Sequence, residues 1–143
     1  LLAVGGGSLL YGNQPTLSGL AAANAVGLWC AAVLNINNLR DCDTDWLAGK
    51  HTLAVRLGTE YGRHYHALLL AAATLSWSLW LVSSLPWLPT LCLLAALLWF
   101  THRHLQQLYR AHSSSDHNRL LASLSRHLGL WILLNWLTYA LTT

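Results

Sequence analysis

Three of the five acidic residues in this 143-residue chain, Asp41, Asp43 and Asp45, stand within five positions of one another. Asn35, Asn37 and Asn38 precede them, and Arg40, Lys50 and Arg56 flank them. On a helix continued through Asp45, at about 100° per residue, Asn37, Asn38, Asp41 and Asp45 share an arc of about 100°, with Asp43 on the opposite side. Asp41 and Asp45 then form an i,i+4 carboxylate pair. Two carboxylates this close repel, and near a membrane each is costly. A divalent cation removes both problems. Mg²⁺ takes oxygen ligands, keeps several waters, and binds one or two carboxylates together with substrate phosphates. Arg40, Lys50 and Arg56 are then free to meet the phosphate oxygens. The competing reading is a solvated acidic face, which accounts for Asp43 equally well. Lys50 or Arg56 taken alone reads more simply as a determinant of membrane topology, and Gly49 as a turn residue. Zinc is disfavoured, because no Cys or His sits at ligand spacing near the acids.

The elements that must hold this cluster are apolar. Hydrophobic residues make up 55% of the chain and charged residues 9%, against about 25% charged in a soluble domain. Mean hydropathy is +0.40. About 20 apolar residues cross a bilayer as a helix. Segments 17–38, 65–85, 87–101 and 124–141 approach that length, the third if residues 102–105 lie in the interface. Residues 1–10 look like the end of a fifth span. Alternating apolar and polar residues are absent, and the runs are too long for barrel strands. Lipid forces such runs into helices, where every backbone group is paired. The expected fold is therefore all-α, a polytopic transmembrane bundle of about four full spans plus the end of a fifth. Pro86 and Pro89 should break the chain in a tight turn. Gly5-Gly6-Gly7 and Asn13-Gln14-Pro15 mark another turn, and Ser113-Ser114-Ser115 a flexible stretch.

Charge orients the spans. Residues 39–64 carry Arg40, Lys50, Arg56 and Arg63; residues 83–89 carry no charge; residues 103–119 carry Arg103, Arg110 and Arg119, with Arg126 just beyond. Positive loops face the cytoplasm, so the aspartate cluster is expected there and the C-terminus outside. A net charge of +3, widely spread, gives no nucleic-acid footprint. Cys30, Cys42 and Cys92 support neither a disulfide framework nor a zinc site, and Cys30 and Cys92 read as inert packing residues. His64/His66 and His102/His104 are i,i+2 pairs, which do not share a helix face. Most histidines read as snorkelling groups at span ends, and most of the eight Trp as interface anchors or packing. Asn135, inside a span, should hydrogen-bond toward another helix. The chain has no Met and opens in an apolar run, so it reads as part of a longer protein.

The sequence Asn37-Asn38-Leu39-Arg40-Asp41-x-x-x-Asp45, followed by Gly49-Lys50-x-Thr52-Leu53-Ala54-Val55-Arg56-Leu57-Gly58, resembles the second aspartate-rich motif of UbiA-type intramembrane prenyltransferases. Its form is most similar to the branch that prenylates 1,4-dihydroxy-2-naphthoate in menaquinone biosynthesis. The resemblance implies nine helices with two aspartate motifs. Residues 1–143 would then be the carboxy-terminal part of one membrane domain, from the end of helix five to helix nine. It implies Mg²⁺ bound at Asp41 and Asp45, with Asn38, Arg40, Lys50 and Arg56 toward the diphosphate of a polyprenyl donor. The expected reaction joins the polyprenyl group to the naphthoate with loss of CO₂, giving demethylmenaquinol. Other aromatic acceptors such as 4-hydroxybenzoate, or a non-catalytic membrane subunit, are the alternatives. The implied location is a bacterial inner membrane, with the site on the cytoplasmic side. Trp46 and His51 depart from the pattern, standing where the branch usually has basic residues. The first motif is absent from this chain, so residues 1–143 alone are expected to be inactive.

Overall fold

Thr16 starts the first long helix: its hydroxyl accepts a hydrogen bond from the Gly19 amide at 3.1 Å, satisfying one of the amides that a helix start leaves free. The computed structural model describes residues 6–7, 9–10 and 14–142. Helix α1 runs Leu17–Arg40, α2 Cys42–Leu47, α3 Leu53–Ser84, α4 Trp87–Arg110 and α5 Ser114–Thr142. The described residues contain no strand. Residues 6–7 and 9–10 are helical, while the rest of the expected fifth-span end, 1–5 and 8, lies outside the described residues.

Among the described residues, three helices are long and apolar enough to cross a membrane: α1, α3, and α5 over Ser114–Leu141. Helix α4 has 24 residues but does not reach that measure, so three of the four expected spans meet it. The reason is visible in its last turns, where His102, Arg103, His104, Gln106 and Gln107 dilute the apolar run.

Two helices begin earlier than their apolar runs suggest. Helix α3 starts twelve residues before position 65, because the Thr52 hydroxyl caps the Val55 amide at 3.3 Å. Gly58 interrupts it with φ 78° and ψ 165°. Helix α5 starts ten residues before position 124. There Ser113 and Asp116 cap each other: the Asp116 amide donates to Ser113 Oγ at 3.1 Å, and the Ser113 amide donates to Asp116 Oδ2 at 3.1 Å. The serine run read as flexible is thus a capping box. Pro86 does precede α4, but Pro89 lies inside its first turn, where a missing N–H costs nothing.

Helices α1 and α3 form the central pair. Trp29 and Trp77 are both buried, their ring centroids 5.1 Å apart. Asn35, buried in α1, donates to the Gly62 carbonyl of α3 at 2.9 Å. At that crossing a Cβ on Gly62 would come within 2.7 Å of Leu39 Cδ2. Gly62→Ala is therefore expected to cost about 1–3 kcal/mol through overpacking, read as a lower thermal unfolding midpoint in detergent. An unchanged midpoint would mean that Leu39 moves aside freely.

Helix α5 joins through Asn135, whose Oδ1 accepts from Trp77 Nε1 at 3.2 Å while its Nδ2 donates to the Trp131 carbonyl at 2.7 Å. The interhelical bond expected of Asn135 is present. Asn135→Leu leaves the buried Trp77 N–H without its acceptor, and the expected loss is about 1 kcal/mol, the scale measured for hydrogen bonds between membrane helices. Trp77→Phe in the same background should recover most of it.

Two expectations about side chains need correction. Most histidines are exposed, as expected, but His66, His104 and His117 are buried, and the Nε2 atoms of His66 and His104 lie 3.2 Å apart across α3 and α4. Cys30 and Cys92 are exposed on the helix surfaces rather than packed inside.

Candidate active site: a paired aspartate loop at one end of the bundle

The helical hydrogen bonds of α1 carry on through the aspartates although the helix itself bends. Asp41 sits at φ −96°, ψ 7°, in the sparsely allowed region between helix and strand. Its amide still donates to the Asn37 carbonyl at 3.1 Å, and the Asp45 amide to the Asp41 carbonyl at 2.8 Å. The i,i+4 relation drawn from the sequence therefore survives the break. Asp43 is exposed and Asp45 buried, so the two acids do point to different sides.

Gly49 reverses the chain after α2. Its φ of 70° is left-handed, which only glycine adopts without a Cβ penalty. The Gly49 amide donates to the Trp46 carbonyl at 3.1 Å and the Lys50 amide to the Asp45 carbonyl at 2.9 Å, the paired bonds of a Schellman helix end. This turn brings Lys50 Nζ to 2.9 Å from Asp45 Oδ1. The lysine side chain is 66% exposed and the aspartate side chain 10%, so the base arrives from solvent onto a sheltered acid.

Asp41 has its own cation. Arg40 grips it with two bonds of 2.7 Å, Nε to Oδ1 and Nη2 to Oδ2. These bonds hold the Asp41 carboxyl below the usual carboxylate range. Hydrogen bonding to Asp45 raises the Lys50 amine above its ordinary value. Arg40 Nη1 also donates to Asn118 Oδ1 of α5 at 3.0 Å, tying the loop to the last helix. Burial, then Asp43 and Asp45, push the Cys42 thiol up, which keeps it protonated and unsuited to bind metal.

The structure thus brings together Arg40, Asp41, Asp45 and Lys50. Asn38 is half-buried and Arg56 exposed, and neither is tied to the acids by a hydrogen bond. Asn118 carries no signal in the sequence, because its role depends on contact with a residue 78 positions away. Asn35 was visible as part of the asparagine run, but by the 100° step it faces away from Asp41 and toward α3.

The donor set fits Mg²⁺. Asp45 Oδ2 makes no hydrogen bond among the described residues, and Asp41 is partly exposed. No group of three or more His, Cys, Asp or Glu able to hold a metal exists among the described residues. Two carboxylates alone leave the remaining positions to water and phosphate, as Mg²⁺ sites commonly do.

Apolar spanning helices with a carboxylate-rich loop at one end define an integral membrane protein whose candidate site suits a charged phosphate compound. The model of the UbiA prenyltransferase family matches residues 1–125, and the chain belongs to that family. It is 40% identical over 126 residues to the 1,4-dihydroxy-2-naphthoate octaprenyltransferase of Haemophilus influenzae, covering 87% of this chain and 40% of that protein. The protein of the same name from Escherichia coli is 51% identical over 63 residues, 44% of this chain and 20% of that protein. The one from Mycobacterium tuberculosis is 49% identical over 70 residues, 48% and 23% respectively. The chain spans less than half the length of these relatives. No solved structure matches it.

Proposed function

We propose that the complete protein transfers a polyprenyl group from an allylic diphosphate to 1,4-dihydroxy-2-naphthoate, with loss of CO₂, giving demethylmenaquinol. The observation that carries this reading is the identity of 40–51% to relatives that all bear that name. Residues 1–143 are the carboxy-terminal part of one prenyltransferase domain, helices five-end to nine of nine, and are inactive without a first aspartate motif. The domain sits in a bacterial inner membrane, and its aspartate loop faces the cytoplasm, the side on which arginine and lysine loops are retained.

Asp41 and Asp45 would hold Mg²⁺. When bound, the ion supplies charge neutralisation that makes the diphosphate a better leaving group. Arg40 and Lys50 have a second task. Their present partners are the same two carboxylates, so these four side chains balance one another: two acids against two bases. With the carboxylates engaged by a metal, both cations would be free for phosphate oxygens, Arg40 with its planar fork and Lys50 as a mobile point charge. Asn38 and Arg56 assist at the diphosphate. Trp46 is 68% exposed and His51 is exposed, which supports treating their departure from the basic pattern as neutral for chemistry.

The test uses membranes holding the complete protein, with Mg²⁺, a polyprenyl diphosphate, and equal amounts of 1,4-dihydroxy-2-naphthoate and 4-hydroxybenzoate. Mass spectrometry should find a prenylated naphthoquinol without carboxylate, absent from an Asp41→Asn control. Prenylated hydroxybenzoate would keep the chemistry and replace the acceptor. No product from intact protein and donor would favour a non-catalytic membrane subunit.

A further inference from the structure

At the same end of the bundle, on a different flank, lies a second cationic feature. A cavity of about 470 Å³ opens between the end of α4 and the start of α5, lined by Arg110, Arg119 and Arg126 together with Gln107, Asp116 and Ser123. One acid against three arginines leaves a net positive field. Asp116 keeps its charge, which also acts on Arg119, while its Oδ2 is held at the helix start, accepting from the His112 amide at 3.3 Å, the Ser113 amide at 3.1 Å and Ser113 Oγ at 2.7 Å. Arg110 and Arg119 make no side-chain hydrogen bond or ion pair with the described residues, and Arg126 donates only from Nε, to the Ala122 carbonyl at 3.3 Å.

This cavity is separate from the aspartate loop. At about 100° per residue, Asp116, Arg119, Ser123 and Arg126 cluster on one flank of α5, about 120° from Asn118, the residue that meets Arg40. The buried residues Leu120 and Leu124 follow on the core side of the arginine flank, and Leu120 forms part of the cavity wall.

We propose that this cavity binds the phosphate headgroup of an anionic phospholipid. Three guanidinium forks converging with a serine hydroxyl and a glutamine amide suit phosphate oxygens. Free phosphate shares that chemistry, but the surface below the arginines favours a lipid. Along α5, away from the charged end, Leu130, Leu133, Leu134 and Leu137 are all exposed, and by the same angular step they fall on or beside the arginine flank. A headgroup in the cavity therefore has an apolar track beneath it for its acyl chains. On α4, Arg103 lies over the Trp99 ring at 5.6 Å, the kind of aromatic and basic pair that marks the membrane–water boundary. Basic pockets between helices at that boundary recognise anionic headgroups.

The experiment is native mass spectrometry of the complete protein in mild detergent with added phosphatidylglycerol, phosphatidylcholine or inorganic phosphate. The protein should retain phosphatidylglycerol in preference to phosphatidylcholine, and inorganic phosphate should not displace it. The triple variant Arg110→Gln, Arg119→Gln, Arg126→Gln should lose affinity for phosphatidylglycerol roughly a hundredfold, about fivefold per arginine. Should it unfold, the single variants carry the test, each with about a fivefold loss. Equal retention by the original protein and the variants, equal retention of the two lipids, or displacement by free phosphate would each overturn the assignment.

Discussion

Asp45→Asn in the complete protein is expected to lower kcat/KM for prenyl transfer by about 10²–10³, the scale lost when one preorganised charge is removed from a reacting centre. Asp43→Asn is expected to leave the rate unchanged. The contrast rests on position: Asp45 is buried with one carboxylate oxygen unbonded, while Asp43 is exposed and makes no side-chain hydrogen bond among the described residues. Stability should hardly move. The Asp45–Lys50 pair joins a sheltered acid to a base that is 66% exposed, and pairs with a solvated member contribute about 0–1 kcal/mol. The thermal midpoint is therefore the control that separates a chemical loss from a folding loss. The Mg²⁺ concentration for half-maximal rate should also rise in the variant. Equal rates for the Asp43 and Asp45 variants would remove Asp45 from the metal site.

Gly58→Ala is the second large effect, and it acts through the backbone. At φ 78° and ψ 165° the residue occupies a region essentially restricted to glycine. A Cβ there meets nothing within 4 Å, so crowding adds nothing and conformational strain is the whole cost, about 1–3 kcal/mol. Gly62→Ala has the opposite origin: ordinary helical backbone, but a neighbouring leucine in the way. The two should differ in rescue. Leu39→Ala relieves Gly62→Ala and leaves Gly58→Ala as unstable as before. A Gly58→Ala protein with an unchanged unfolding midpoint would mean that the α3 interruption relaxes into regular helix without loss. Since Arg56 lies just before the interruption, such a variant would also show whether that arginine must stand apart from the rest of α3.

Local features were legible in the sequence where one stretch of chain decides the outcome. The register of Asp41 and Asp45, the opposite placement of Asp43 and the turn at Gly49 all depend on neighbours a few residues away. The spans were legible as apolar runs, but their ends were not. Helix α3 begins at a threonine cap among charged residues, and α5 at a serine–aspartate box, neither of which changes hydropathy. Features that need two distant elements were out of reach. The spacing of His64 and His66 says nothing about His104, which completes the buried pair from another helix. Arg40 was read toward phosphate, and its actual bonds to Asp41 and Asn118 depend on where α5 arrives. Asn135 was legible only because a lone amide inside a span has few options.

The two acid–base pairs of the loop are built on different kinds of ruler. Lys50 and Asp45 are held by one short turn, whose backbone bond and side-chain bond join the same two residues. Their separation is written into a single short run of chain. Arg40 instead bridges α1 and α5, so its position is set by how two long helices lean against each other. One half of the loop is thus fixed by its own short turn, and the other by the packing of two long helices.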